Sequence, residues 1–232
     1  MGIRTWYDAG NMAVELDADQ VAAALGDLKN KTPQALKVAI NRTARESRKL
    51  MLKEVEERYD LNSHGKKLIQ DLKQRSKATN KNLEARLGIT RNDAGAFRAD
   101  LGYFKSNPDK PYMGAAWRQA PEYFTARVLK KNPMKNLSGD GTLSKGFLVK
   151  LKSGHIGMVQ RDTSQRSKSD YTMSGKERWE PNHKLETMSS PSGSAMHRTI
   201  WYDSAADETA ELLAMNAAKR VQELIEKSKR KG

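Results

Sequence analysis

The stretch from Thr32 to Tyr59 constrains the fold more than any other. It runs without glycine or proline after Pro33 and repeats its apolar positions every three or four residues. Leu36, Ile40, Thr43 or Ala44, Ser47, Met51, Val55 and Tyr59 share one side of the helix this predicts, and that side requires burial. Thr32 is a residue type that caps the free amides of a first turn, and Pro33 follows where its missing N–H costs nothing. At 1.5 Å per residue such a helix is about 40 Å long, so a compact fold has to be laid along it.

Around this rod the remaining pattern is read in chain order. Residues 1–16 show no clear period and are expected to form an N-terminal arm or an edge strand. Asp17 to Lys29 predicts a first helix, capped by Asp17, with Val21, Ala24, Leu25 and Leu28 as its apolar side. After a break at Leu61, Asn62, Ser63, His64 and Gly65, a short helix is expected from Lys66 to about Leu72. The period then changes. Leu83, Ala85, Leu87 and Ile89 alternate as in a half-buried strand, and residues 73–79 alternate with Lys73, Arg75 and Lys77 on one side. Turn residues at 79–82 join the two into a hairpin whose first strand is a charged edge.

Residues 93–120 read as a long loop, Tyr123 to Leu129 as a strand with Phe124, Ala126 and Val128 inward, and 132–142 as a further break. Phe147, Val149 and Leu151 face Ile156 and Met158 in a hairpin turned at Ser153 and Gly154. A polar, Ser-rich loop is expected over 162–180. Asp203 opens a final helix with Ala206, Ala210, Leu213, Ala217, Val221 and Leu224 or Ile225 on one face. Helices, then strands, then a helix predict an α+β fold: a long helix packed across a small, mainly antiparallel sheet, with a C-terminal helix and long exposed loops. One domain is drawn over 17–226, with 105–142 and 162–180 as extended loops and 227–232 as a basic tail.

Composition narrows the chemistry. The 232 residues include no cysteine, which excludes disulfides, thiolate catalysis and thiolate metal sites. His64, His155, His183 and His197 lack the paired spacing of a metal site, and Gly193-Ser194 lacks the flanks of a nucleophile elbow. The glycines at 102, 139 and 141 do not precede a helix as a phosphate-cradling loop requires. No catalytic residue, metal or cofactor is therefore expected. The first sixteen residues lack the apolar core of a signal peptide, and no run of about eighteen apolar residues marks a membrane span, so a soluble chain without a membrane partner is expected.

The formal net charge is +14, the isoelectric point about 9.8 and the mean hydropathy −0.81. Such a surface attracts nucleic acid, anionic lipid or an acidic protein. Arg42, Arg45 and Arg48 on the long helix, with Lys73, Arg75 and Lys77 on the following strand, are the candidate residues for DNA or an acidic partner. A solvated face explains the same residues equally well. No recognition helix or aromatic stacking platform accompanies them.

The run TPQALKVAINRTARESRKLMLKEV, the strand LEARLGITR and the later GFLVKLKSGHIGMVQR resemble the minor tail protein Z family of long-tailed phages, the tail-completion proteins. The positions that carry the likeness are Ala39, Asn41 and Arg42, then Ala85 and Ile89, then Phe147, Gly154 and Arg161. Pro191 and Ser192, with Met196 shortly after, resemble the family's step into its last helix and are candidates for an interface loop.

The resemblance implies a structural virion protein without turnover, placed at the head-proximal end of the tail and present in the host cytoplasm during assembly. The partners it implies are other copies of the chain, as a homohexameric ring by analogy, the tail terminator and neck or connector proteins, and packaged DNA in the lumen. The rival expectation is a non-specific nucleic-acid-binding protein acting alone through its basic surface, with affinity falling steeply as salt rises.

Overall fold

The computed structural model describes residues 3–8, 11–16, 18–89, 100–111, 124–150, 154–166 and 183–230. Within them the chain is α+β, and its contacts fall into two compact units where the sequence reading draws one span. The first comprises Met1–Val55, Leu68–Phe97 and Gly193–Gly232, the second Glu56–Lys67 and Arg98–Ser192.

In the first unit β1 (Ile3–Asp8) and β2 (Asn11–Leu16) form a hairpin in register from Ile3 opposite Leu16 to Asp8 opposite Asn11. They belong to a four-stranded antiparallel sheet with β3 (Leu72–Ser76) and β4 (Arg86–Ile89), in the order β1-β2-β4-β3. Of the two expectations for residues 1–16 the strand is found, as a hairpin in which β1 is an edge of the sheet and β2 lies between β1 and β4.

The first helix, α1 (Ala18–Leu25), is shorter than expected. Gly26, at φ +53°, takes the left-handed conformation that ends a helix, and a 3-10 turn over Gly26–Lys31 follows. Asp17 lies outside the described residues, and Ala24 is exposed rather than on the packed side. The long helix forms as α2 (Thr32–Arg58), burying Leu36, Thr43, Ala44, Ser47, Met51 and Val55. Its predicted cap does not form. Thr32 is itself helical, and both its N–H and its hydroxyl donate to Lys29 O, the hydroxyl at 2.6 Å, because the 3-10 turn runs straight into α2. Val21 and Leu25 of α1 pack with Ala35 and Leu36 of α2 and with Val221 and Leu224 near the C-terminus, and Ala39 packs on Leu213 and Ala217.

The C-terminal helix begins ten residues before the expected Asp203. It comprises α4 (Gly193–Ile200), a π-helical turn (Trp201–Ala205) and α5 (Ala206–Lys229). Met196, His197, Ile200 and Trp201 are buried at helical spacing, so Asp203 falls inside the helical run rather than at its start. The expected basic tail is helical through Lys229.

In the second unit Tyr59 and Leu61 bridge Leu129 and Phe104, threading the segment after α2 between two others. The expected break at 61–65 is instead the start of α3 (Ser63–Ile69), since Asn62 Oδ1 accepts the N–H groups of His64 and Gly65 at 3.0 Å. Leu72, placed at that helix's end by sequence, opens β3. The span 105–142 carries a small sheet of β5 (Lys105–Asn107), β6 (Thr125–Arg127) and β7 (Lys135–Asn136), in that order, and 112–123 lie outside the described residues. The predicted hairpin is β8 (Phe147–Lys150) against β9 (Ile156–Arg166), with Gly154 at φ +83°, and β10 (His183–Thr187) adds to β9. Residues 162–166 thus belong to β9 rather than to a loop, and 167–182 lie outside the described residues.

Candidate functional site

At the edge of the four-stranded sheet, β3 is fixed from α2 by side chains near both of its ends. Asn41 Nδ2 donates to Ala78 O at 2.9 Å, and Asn41 Oδ1 accepts Ala78 N–H at 3.0 Å. The same Oδ1 accepts Gln74 Nε2 at 3.0 Å. Two helical turns further on, Arg48 Nε donates to Leu72 O at 2.5 Å and its Nη2 to Gln70 O at 3.2 Å. An edge strand has no neighbour to hold its outer side, and here the helix supplies what a further strand would.

This arrangement divides the candidate basic residues. Leu72 and Gln74 turn towards α2, whereas Lys73 and Arg75 are exposed on β3 and Lys77 is exposed one residue beyond its end; the pairing with β4 shifts register between Gln74 and Ser76. Lys73 Nζ lies 3.7 Å from Asp71, a surface pair of little energetic weight, and Arg75 Nε donates to Gly88 O at 3.3 Å. Lys73, Arg75 and Lys77 form an exposed basic row along the chain, with Arg75 at the register shift and Lys77 past the end of β3.

The helix residues do not join them. Arg48 is occupied by the backbone of residues 70–72. Arg42 pairs with Glu46 at 3.0 Å, and Arg45 is exposed on α2. Burial alone would raise the Glu46 carboxyl, but hydrogen bonds from Asn216 and Arg42 and the charges of Arg42 and Arg45 outweigh it and hold the group below its ordinary value.

Met196 is not part of a loop surface. It is wholly buried in α4, where its thioether fills the core of the first unit, while Pro191 and Ser192 are half-buried. Its neighbour His197 is also buried, and its Nε2 donates to Ile69 O at 3.2 Å. That bond assigns the proton to Nε2, and Nδ1 has no partner among the described residues. Burial first, and the charge of Arg48 with it, push the His197 pKa down to about 4 against the pull of the Ile69 carbonyl. The imidazole is neutral and structural.

The second unit holds another polar cluster that sequence spacing did not bring together. Asp100 is 2% exposed; its Oδ1 accepts Gly102 N–H at 2.7 Å and Met158 N–H at 3.0 Å, and its Oδ2 lies 2.7 Å from His155 Nε2. A Cβ on Gly102 would come within 2.8 Å of Gly157 Cα, and one on Gly157 within 2.7 Å of Asp100 Oδ2, so both glycines are required by close approach. The pair ties the 3-10 turn Leu101–Tyr103 to β9. Its members are 55 residues apart, and Asp100 lies in the stretch 93–120 that the sequence reads as a long loop, so no local signal marked the pair.

Among the positions of family likeness, Ala39 is buried, Asn41 makes the joint to Ala78, and the Arg161 guanidinium lies 4.6 Å above the Phe147 ring. Among the described residues no group of three His, Cys, Asp or Glu could hold a metal ion, and no helix is long and apolar enough to cross a membrane. Comparison with models of protein families, with curated proteins and with solved structures gave no match.

Proposed function

We propose that this chain is a structural virion protein, a tail-completion or joining protein at the head-proximal end of a phage tail. In this reading copies of the chain form a ring, hexameric by analogy, that bridges the tail terminator and the neck around the DNA path. The observation that carries the proposal is the edge strand β3: hydrogen-bonded from α2 by Asn41 and Arg48 near its two ends, it carries exposed Lys73 and Arg75, with exposed Lys77 just past its end, as a basic row along the chain. A strand fixed in this way is organised before any partner arrives, which lowers the entropy lost on docking. The row suits an acidic subunit or a DNA backbone, neither of which needs a catalytic pocket.

Reversing the row with Lys73→Glu, Arg75→Glu and Lys77→Glu in one chain tests this directly. All three side chains are exposed, and thermal unfolding of the variant is the control for its folding. Tail joining and infectivity are expected to fall at least about tenfold. Joining at the normal level overturns the assignment of the row. The same row favours a second reading, a lone nucleic-acid-binding protein. Sedimentation at low and high salt separates the two, since only the second predicts DNA binding by the isolated chain with a steep salt dependence.

A further inference from the structure

Between α2 and α5 in the first unit lies a cavity of about 30 Å³, whose lining includes Met12, Thr43, Ser47, Leu87, Trp201 and Thr209. Most of its wall is apolar, yet three of these residues carry hydroxyls. Ser47 is 0% exposed and Thr209 4%, and neither Ser47 Oγ nor Thr209 Oγ1 has a hydrogen-bond partner among the described residues. Helical serines and threonines commonly bond the carbonyl one turn back, and these two do not. Thr43 Oγ1 accepts Asn216 Nδ2 at 3.0 Å, which leaves the Thr43 proton to be donated.

A buried hydroxyl left unpaired loses its hydration without return, so such groups almost always find a partner. A space of about 10–15 Å³ admits one water, and a buried water makes about three hydrogen bonds. We infer that this cavity is an internal hydration site, holding about one or two ordered waters that bridge Thr43 and Ser47 of α2 to Thr209 of α5.

The site sits beside the π-helical turn that begins at Trp201, where the helix changes register before Thr209. It is also the inner end of a hydrogen-bonded chain. Asn216 Nδ2, which reaches Thr43, also donates to Glu46 Oε2 at 2.7 Å, and Glu46 Oε1 accepts Arg42 Nε at 3.0 Å. The waters thereby connect the interior of the α2–α5 contact to the surface through side chains that are each already paired on their outer side.

The test uses the full chain and the pair Ser47→Ala with Thr209→Val, which removes both hydroxyls at little change of volume. A high-resolution crystal structure of the unsubstituted protein is expected to show water density between the three hydroxyls. Water-oxygen magnetic relaxation dispersion is expected to lose a slowly exchanging component in the double variant. Xenon is expected to enter only that variant, since a dry apolar cavity takes it up. Should the pair not fold, each single substitution is expected to lessen the slow component on its own. Absence of density there, an unchanged slow component, or xenon uptake by the unsubstituted chain overturns the inference.

Discussion

Asn41 holds both polar groups of the Ala78 backbone at once, donating to its carbonyl at 2.9 Å and accepting its N–H at 3.0 Å. One side chain on a helix thus does for the end of an edge strand what a neighbouring strand would do, and Ala78 is 3% exposed, so water cannot take its place. Asn41→Ala leaves both groups of a buried peptide unpaired. We expect a loss of about 2–4 kcal/mol in denaturant unfolding, with fast hydrogen exchange at the Ala78 amide. Asn41→Asp keeps the acceptor for the Ala78 N–H but sets a carboxylate oxygen against the Ala78 carbonyl, so it is expected to be destabilising as well.

His197 gives the first unit a pH dependence with a definite sign. Its folded pKa of about 4 lies below the ordinary value of 6.5, so between those values the unfolded chain binds more protons. Stability is therefore full above the ordinary value and falls as the pH drops towards 4. The loss from this residue reaches about 3 kcal/mol at most. His197→Gln, whose amide can still donate to Ile69 O, is expected to flatten the dependence across that window. Equal slopes for the two proteins in urea titrations at several pH values contradict this account.

The Asp100 cluster separates charge from geometry. Asp100→Ala strands the N–H groups of Gly102 and Met158 and is expected to cost about 2–5 kcal/mol, whereas Asp100→Asn retains an acceptor for both and is expected to cost far less. Gly102→Ala pushes a Cβ against backbone atoms of Ile156, Gly157 and Met158, none of which can rotate away. About 1–3 kcal/mol or more is expected from that overpacking. Thermal unfolding of the three variants orders them.

The parts of this fold that are legible in the sequence are those where a single face is buried over several turns or pairs. Leu36, Met51 and Val55 announce α2, because burial there follows the local period; β8 and β9 are announced by their alternation and turn, although Phe147, Leu148 and Val149 are all buried and burial there does not alternate. Gly193, Ser194 and the polar residues after them mask α4, whose buried residues are Gly193, Met196, His197 and Ile200, with Trp201 following in the π-helical turn. β6 falls inside the strand expected over Tyr123 to Leu129, with Phe124 and Ala126 buried as read, whereas β5 and β7 carry too few residues to show any period. The basic residues were visible as charge, but charge does not say which of them are occupied: Arg48 was legible as a cation and not as the donor to Leu72 O. The polar joints from Asn41 to Ala78 and from Asp100 to Met158 span 37 and 58 residues, distances over which no local pattern operates.

The central claim is that this protein works by holding other subunits in place within a tail. An electron cryomicroscopy map of the intact particle, read at the head-proximal end of its tail, tests it most directly. The account predicts density for α2 and the four-stranded sheet repeated around the tail axis, with β3 and its row Lys73, Arg75 and Lys77 against DNA or an acidic neighbour. A purified, infectious particle that lacks this chain contradicts it.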